Sequence, residues 1–146
     1  MITQHKEYEI DDRPQRLDIG RIHGWLEKSY WSPGVSRAVV ERAFANSALV
    51  VGAYHGEEQV GCLRAVSDKA TFAWVADVFV DEAHRRRGIA LAMVRFALEH
   101  PEFQGLRRWM LGTRDMHAVY AAAGFRQVDR PEPLMWFTPR KAVPTG

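Results

Sequence analysis

The chain has 146 residues, the size of one ordinary domain, so residues 1–146 are read as a single unit. It is 47% hydrophobic, 11% aromatic and 26% charged, which supplies a full core and excludes a disordered chain. Twenty basic residues against eighteen acidic ones leave a formal charge of +2, too mild for the basic footprint of a nucleic-acid-binding domain.

Tyr8 and Ile10 alternate with polar neighbours and predict a short opening strand. Asp18 precedes Ile19, Ile22, His23, Leu26 and Tyr30, a helical spacing with a capping residue at its start. Ser32-Pro33-Gly34 breaks that helix, and Ser36 can cap a second one with Val39, Val40, Ala43 and Phe44 on its apolar face. Residues 48–54 and 59–66 are apolar runs joined by His55-Gly56-Glu57-Glu58, and Ser67-Asp68-Lys69 makes the next turn; this reads as an antiparallel meander. Residues 71–80 are almost continuously apolar, as in a central strand covered on both faces. Asp77 interrupts that run. Residues 81–87 are polar, then Gly88 opens a helix carrying Ile89, Met93, Phe96 and Ala97, which Pro101 ends. A strand over 106–111, a helix over 115–123 stopped by Gly124, and strands over 125–128 and 134–137 complete the order β-α-α-β-β-β-α-β-α-β-β. That order describes an α/β (α+β) protein with a mixed sheet and helices packed on it.

Cys62 is the one cysteine, which excludes an internal disulfide and a cysteine-rich zinc site, and no metal is expected. No apolar run approaches the ~18 residues of a membrane helix, and residues 1–12 are polar rather than signal-like. A reducing, cytoplasmic setting is the expectation.

Arg85-Arg86-Arg87-Gly88-Ile89-Ala90 lies between a buried strand and a helix N-terminus. Such a turn presents free backbone N–H groups and the positive end of the helix dipole to an anion. Gly88 lets a ligand approach the backbone closely, and Ala90 keeps the first turn uncrowded. Taken alone, the hexapeptide reads more readily as a solvated basic turn. Neither a Gly-x-x-x-x-Gly-Lys phosphate loop nor a Gly-x-Gly-x-x-Gly dinucleotide fingerprint is present.

Val78-Phe79-Val80-Asp81 precedes this turn, and Tyr120-Ala121-Ala122-Ala123-Gly124-Phe125 follows it. With these elements the chain resembles the GNAT-type N-acetyltransferases. Their Arg/Gln-x-x-Gly-x-Gly/Ala signature is matched by Arg85, Gly88 and Ala90, and their Tyr-x-x-x-Gly-Phe element by Tyr120, Gly124 and Phe125. The resemblance runs from Trp74 to Phe125. It implies a GNAT-like, mostly antiparallel sheet flanked by helices, with acetyl-CoA wedged between two splayed parallel strands, here 71–80 and 106–111. Backbone groups of Val78, Phe79 and Val80 would pair with the pantetheine arm, and the amides of Arg85, Arg86, Arg87, Gly88, Ile89 and Ala90 would take the pyrophosphate. Where many relatives carry an asparagine this chain has Thr113-Arg114-Asp115; the Thr113 hydroxyl can substitute, and Asp115 is read as a helix cap.

The resemblance also places Tyr120 as the acid that protonates the departing thiolate. Asp77, the ionisable residue inside the apolar strand, is either a base acting through a water or a carboxylate paired with an arginine. His84 and His117 are alternative bases, each otherwise a solvated residue. Tyr30, Trp31, Phe72 and Trp74 are the candidate acceptor-binding aromatics, suited to a cationic amine or an aromatic group. Cys62 is expected to be inert packing, and Arg107-Arg108 a solvated strand end. The leading reading is acetyl transfer from acetyl-CoA to a small-molecule or peptide amine by direct attack in a ternary complex. The resemblance makes a homodimer through residues 134–137 reasonable. A catalytically silent CoA-binding domain of the same fold is the alternative, and a nucleic-acid-binding role for Arg85, Arg86 and Arg87 is the poorest fit.

Overall fold

The computed structural model describes residues 1–139. Its strands are β1 (Ile2–His5), β2 (Tyr8–Asp11), β3 (Leu49–His55), β4 (Glu58–Ser67), β5 (Phe72–Val80) and β6 (Arg108–Met110). Its α-helices are α1 (Ile19–Leu26), α2 (Arg37–Ala45), α3 (Ile89–Glu99) and α4 (His117–Ala122). The strands form one sheet in the order β1-β2-β3-β4-β5-β6. Every neighbouring pair is antiparallel except β5–β6, which is parallel. No helix among the described residues is long and apolar enough to cross a membrane.

Helix starts follow from local chemistry. Asp18 accepts a hydrogen bond from the Arg21 amide at 3.0 Å, and Ser36 Oγ accepts one from the Val39 amide at 3.2 Å, each filling an orphan donor of the first turn. The two-residue period of β3 then sorts side chains to opposite faces. Leu49, Val51 and Ala53 join Ile89, Met93, Val94 and Phe96 of α3 in one core, while Val50 joins Ile22, Leu26, Val40 and Phe44 of α1 and α2 in the other.

β5 breaks that period at one point. Cys62 of β4 pairs with Phe79 and Arg64 pairs with Ala76, so Leu63 faces both Asp77 and Val78. The extra residue is a β-bulge, and Asp77 sits in it with φ of +54°. Val75, Val78 and Val80 thereby all reach the α3 core. Asp77 is the inserted residue. The first half of β5 is not covered on both faces as its apolar run predicts, because Phe72 and Trp74 remain partly exposed.

Three further differences from the sequence reading concern strands and a cap. β1 was not expected, since residues 2–5 carry little apolar alternation; it forms by pairing along β2, with the Met1 ammonium 2.7 Å from Asp12. Residues 125–128 and 134–137 do not form strands. The Leu134 amide turns back onto the Pro131 carbonyl at 2.9 Å, and Met135, Trp136 and Phe137 stand exposed, with no neighbouring strand edge to pair with among the described residues. Asp115 is not the cap of α4. Thr113 Oγ1 takes the Met116 amide at 3.0 Å instead, and Asp115 lies 3.7 Å from Arg114.

Because the α2 cap is a single hydroxyl, Ser36→Ala should lower unfolding free energy by about 1 kcal/mol, read as a lower urea midpoint with an unchanged slope.

Candidate active site

The parallel pair is short. Phe72, Ala73 and Trp74 pair with Arg108, Trp109 and Met110, after which β6 ends and β5 continues to Val80. Beyond Trp74 the β6-facing edge of β5 therefore has no strand partner, and its main-chain groups are open to an extended ligand arm. Val78 turns its main-chain groups to this edge, whereas the neighbouring Phe79 turns its own to Cys62 of β4, so the expected pairing of Phe79 with a ligand arm is not open. The Val80 carbonyl is already engaged by Arg85 Nε at 3.0 Å.

The chain leaves β5 into the 85–90 turn. Arg86 and Gly88 have φ of +65° and +77°, and Gly88 is the N-cap of α3 without any side-chain cap. Left-handed residues just before a helix start leave a run of backbone amides unpaired, which suits an anion. Among the described residues nothing accepts from the amides of Arg86, Arg87, Gly88, Ile89 or Ala90; the helix's first internal bond runs from the Ala92 amide to the Gly88 carbonyl. The Arg85 amide differs, since it contacts the Glu82 carbonyl at 3.4 Å. The turn is held from behind: His5 Nε2 donates to the Arg87 carbonyl at 2.8 Å, and Arg87 Nη1 donates to the Tyr8 hydroxyl at 3.2 Å. That hydroxyl also pairs with His84 Nδ1 at 2.9 Å. His84 is thus part of the support for the turn. Arg85 braces it from the other side, its guanidinium 5.2 Å from the Phe79 ring, which stacks on Trp25.

On the α1/α2 side of β5 a cavity of about 680 Å³ opens between the α1–α2 connection, α2, β5 and the residues before α4. Tyr30, Trp31 and Trp74 line it. Phe72 does not, because it lies one pleat further from the bulge. Asp77 reaches the cavity through the bulge, with both oxygens engaged: Trp31 Nε1 donates to Oδ1 at 2.8 Å and Arg64 Nε to Oδ2 at 2.7 Å. Of the two expectations for Asp77, the arginine pair is the one whose geometry is present. Cys62 is buried with its thiol donating to the Asp77 carbonyl at 3.3 Å, and burial raises its pKa far above the ordinary thiol range.

Tyr120 stands where this cavity meets a second one of about 470 Å³ beside β6; Gly112, Thr113 and Tyr120 line both. The ring is buried, edge-on to Phe125, and among the described residues no group pairs with its hydroxyl. Burial, reinforced by nearby Tyr30 and Asp115, pushes its pKa up to about 12. The phenol therefore keeps its proton at neutral pH and can donate it. His117 lines the second cavity from the exposed start of α4. Arg107 and Arg108 are exposed at the start of β6, as expected.

Two residues of the site escaped the sequence reading. Arg64 is a charge inside the apolar run 59–66, a signal of the same kind as Asp77 in its own strand. Arg114 stacks over the Tyr30 ring at 3.8 Å while its amide donates to the Tyr30 hydroxyl at 3.0 Å, tying the α1–α2 connection to the residues before α4. Nothing local signals that contact.

The family described as acetyltransferase (GNAT) matches residues 8–125. Among solved structures, a Xanthomonas campestris pv. campestris acetyltransferase assigned to the GNAT family is 38% identical, with a TM-score of 0.86 and 94% of each chain covered. A Deinococcus radiodurans R1 protein described as an acetyltransferase shares the fold at 18% identity, with a TM-score of 0.74 over 99% of this chain and 96% of that one. A GNAT-family protein of Streptococcus pneumoniae TIGR4 does so at 22% identity, with a TM-score of 0.68 over 96% and 99%. No curated protein matches the chain.

A Cβ on Gly88 would sit 3.3 Å from the His5 ring in a left-handed backbone. Gly88→Ala should therefore cost about 1–2 kcal/mol of stability, measured by urea unfolding; an unchanged midpoint would mean that the turn adopts another conformation.

Proposed function

The chain belongs to the GNAT acetyltransferase family, and on that premise we propose that it moves an acetyl group from acetyl-CoA to an amine by direct attack. The observation that carries this reading is the run of unengaged amides from Arg86 to Ala90 at the end of a strand edge that has lost its partner. A pyrophosphate fits the amides, since a helix N-terminus favours negative charge by about 0.3–1 kcal/mol, and up to about 2 when partly buried. An extended pantetheine arm fits the free main chain of Val78, with Thr113 and Tyr120 on the facing wall. Acetyl-CoA supplies the activated thioester.

The remaining work belongs to the chain's own residues. The acceptor arrives as an ammonium and must lose a proton to water before its nitrogen has a lone pair. A new N–C bond then forms and the C–S bond breaks. Tyr120 gives its proton to the leaving sulfur and regains one, through water, from the newly acylated nitrogen. The net change is ammonium plus thioester to amide, free thiol and one released proton. Asp77 is assigned to holding the acceptor nitrogen, because its oxygens are fixed by Trp31 and Arg64. Trp31, Tyr30 and Trp74 shape the approach.

Gly88→Glu should abolish acetyl-CoA binding in calorimetry, because it puts bulk and a negative charge among the phosphate-holding amides. Unchanged affinity would move the phosphate site elsewhere. Tyr120→Phe should lower kcat by about 100-fold or more with little effect on acetyl-CoA affinity; a wild-type rate under chemistry-limited conditions would remove Tyr120 as the acid. The neutral phenol is the active form and its pKa is raised to about 12, so the alkaline loss of rate should lie near that value rather than near an ordinary phenol's about 10.

A further inference from the structure

We propose that the acceptor is a primary monoamine with a bulky apolar body, of arylalkylamine type, whose ammonium is anchored on Asp77. This rests on the acetyl-transfer reading and adds the substrate class. The cavity is large enough for such a molecule, since pockets for small ligands commonly measure about 300–1,000 Å³. Its chemistry is uneven. Val35, Val39, Val40 and Leu26 make an apolar wall from α1 and α2, and Trp31 and Trp74 add aromatic faces.

Against this wall the charges are few and mostly committed. Arg64 is bound to Asp77, and Arg114 stacks on Tyr30. Asp115 is largely solvated beside Arg114. Asp77 is the carboxylate held inside, with its side chain only 12% exposed. A carboxylate offers about four lone-pair sites, and Trp31 and Arg64 take one on each oxygen, so an ammonium can still be received on either. Trp31 donates its indole N–H to the same carboxylate and so fixes the Asp77 side chain against the cavity wall. The hydrogen bonds from Trp31 and Arg64 hold the carboxylate in one place at the bulge.

A polyamine or an aminoglycoside would bring several ammonium groups to a site with one anchored carboxylate and two guanidiniums. Its surplus charges would be desolvated without partners, which selects against them. A small polar amine such as ethanolamine would reach Asp77 but leave the valine wall unfilled.

The test begins with calorimetry on acetyl-CoA, followed by thiol release with 2-phenylethylamine, tryptamine, ethanolamine, spermidine and kanamycin. The arylalkylamines should exceed each of the others in kcat/KM by about 100-fold. Asp77→Asn should raise KM for 2-phenylethylamine by about 10- to 100-fold at unchanged acetyl-CoA affinity. Val39→Trp, which fills the apolar wall and leaves Asp77 in place, should raise KM for tryptamine more than for ethanolamine, and it keeps the question open to refutation if the Asp77 variant does not fold. Preference for spermidine, kanamycin or ethanolamine would overturn the substrate class while acetyl transfer stands. Acetyl-CoA binding without thiol release from any arylalkylamine would overturn it as well. Absence of acetyl-CoA binding would bring down the acetyl-transfer reading itself.

Discussion

Two strands that run parallel for three residue pairs and then part create the space on which everything else in this protein depends. β5 is tied along its other edge to β4, so it cannot follow β6 away, and β6 is too short to follow β5. A sheet interior normally leaves no main-chain donor or acceptor open. Here the parting exposes both along β5 beyond Trp74, and the strand leads directly into a turn whose amides are also unengaged. A strand edge and a turn with unengaged amides become one continuous surface because they are consecutive in the chain.

Such a surface needs support, since free amides and left-handed residues are costly in isolation. The support comes from distant parts of the sheet. His5 on β1 takes the Arg87 carbonyl out of competition, Tyr8 on β2 orients the Arg87 guanidinium, and Arg85 ties the turn back to the Val80 carbonyl. The arginines that read as a simple positive patch divide their work. Arg85 and Arg87 are clamps on the turn, Arg86 makes no such contact, and all three are exposed.

The bulge at Asp77 shapes the cavity on the α1/α2 side as the parting shapes the edge of β5. Without it, alternation along β5 would set Asp77 on the same face as Val75, against the apolar core under α3. With it, Ala76 and Asp77 both escape that core, and the carboxylate meets Trp31 and Arg64. The family match covers the chain from Tyr8 to Phe125 and so includes both devices.

Much of this was legible before any coordinates. Asp18 and Ser36 cap their helices, Gly88 starts α3, and the turns at 55–58 and 67–69 separate antiparallel strands, because each of these depends on neighbours within three or four residues. The left-handed start of α3 at Gly88 and the short helix that carries Tyr120 were legible for the same reason. Tertiary structure decided the rest. The Trp31 contact with Asp77 joins residues 46 apart, and the Tyr8 contact with Arg87 joins residues 79 apart, so no local pattern encodes either. β1 forms only because β2 is there to pair with, while residues 125–128 and 134–137 have strand-like composition but find no ladder. Composition sets whether a segment can be a strand; a partner edge with matching donors sets whether it is one.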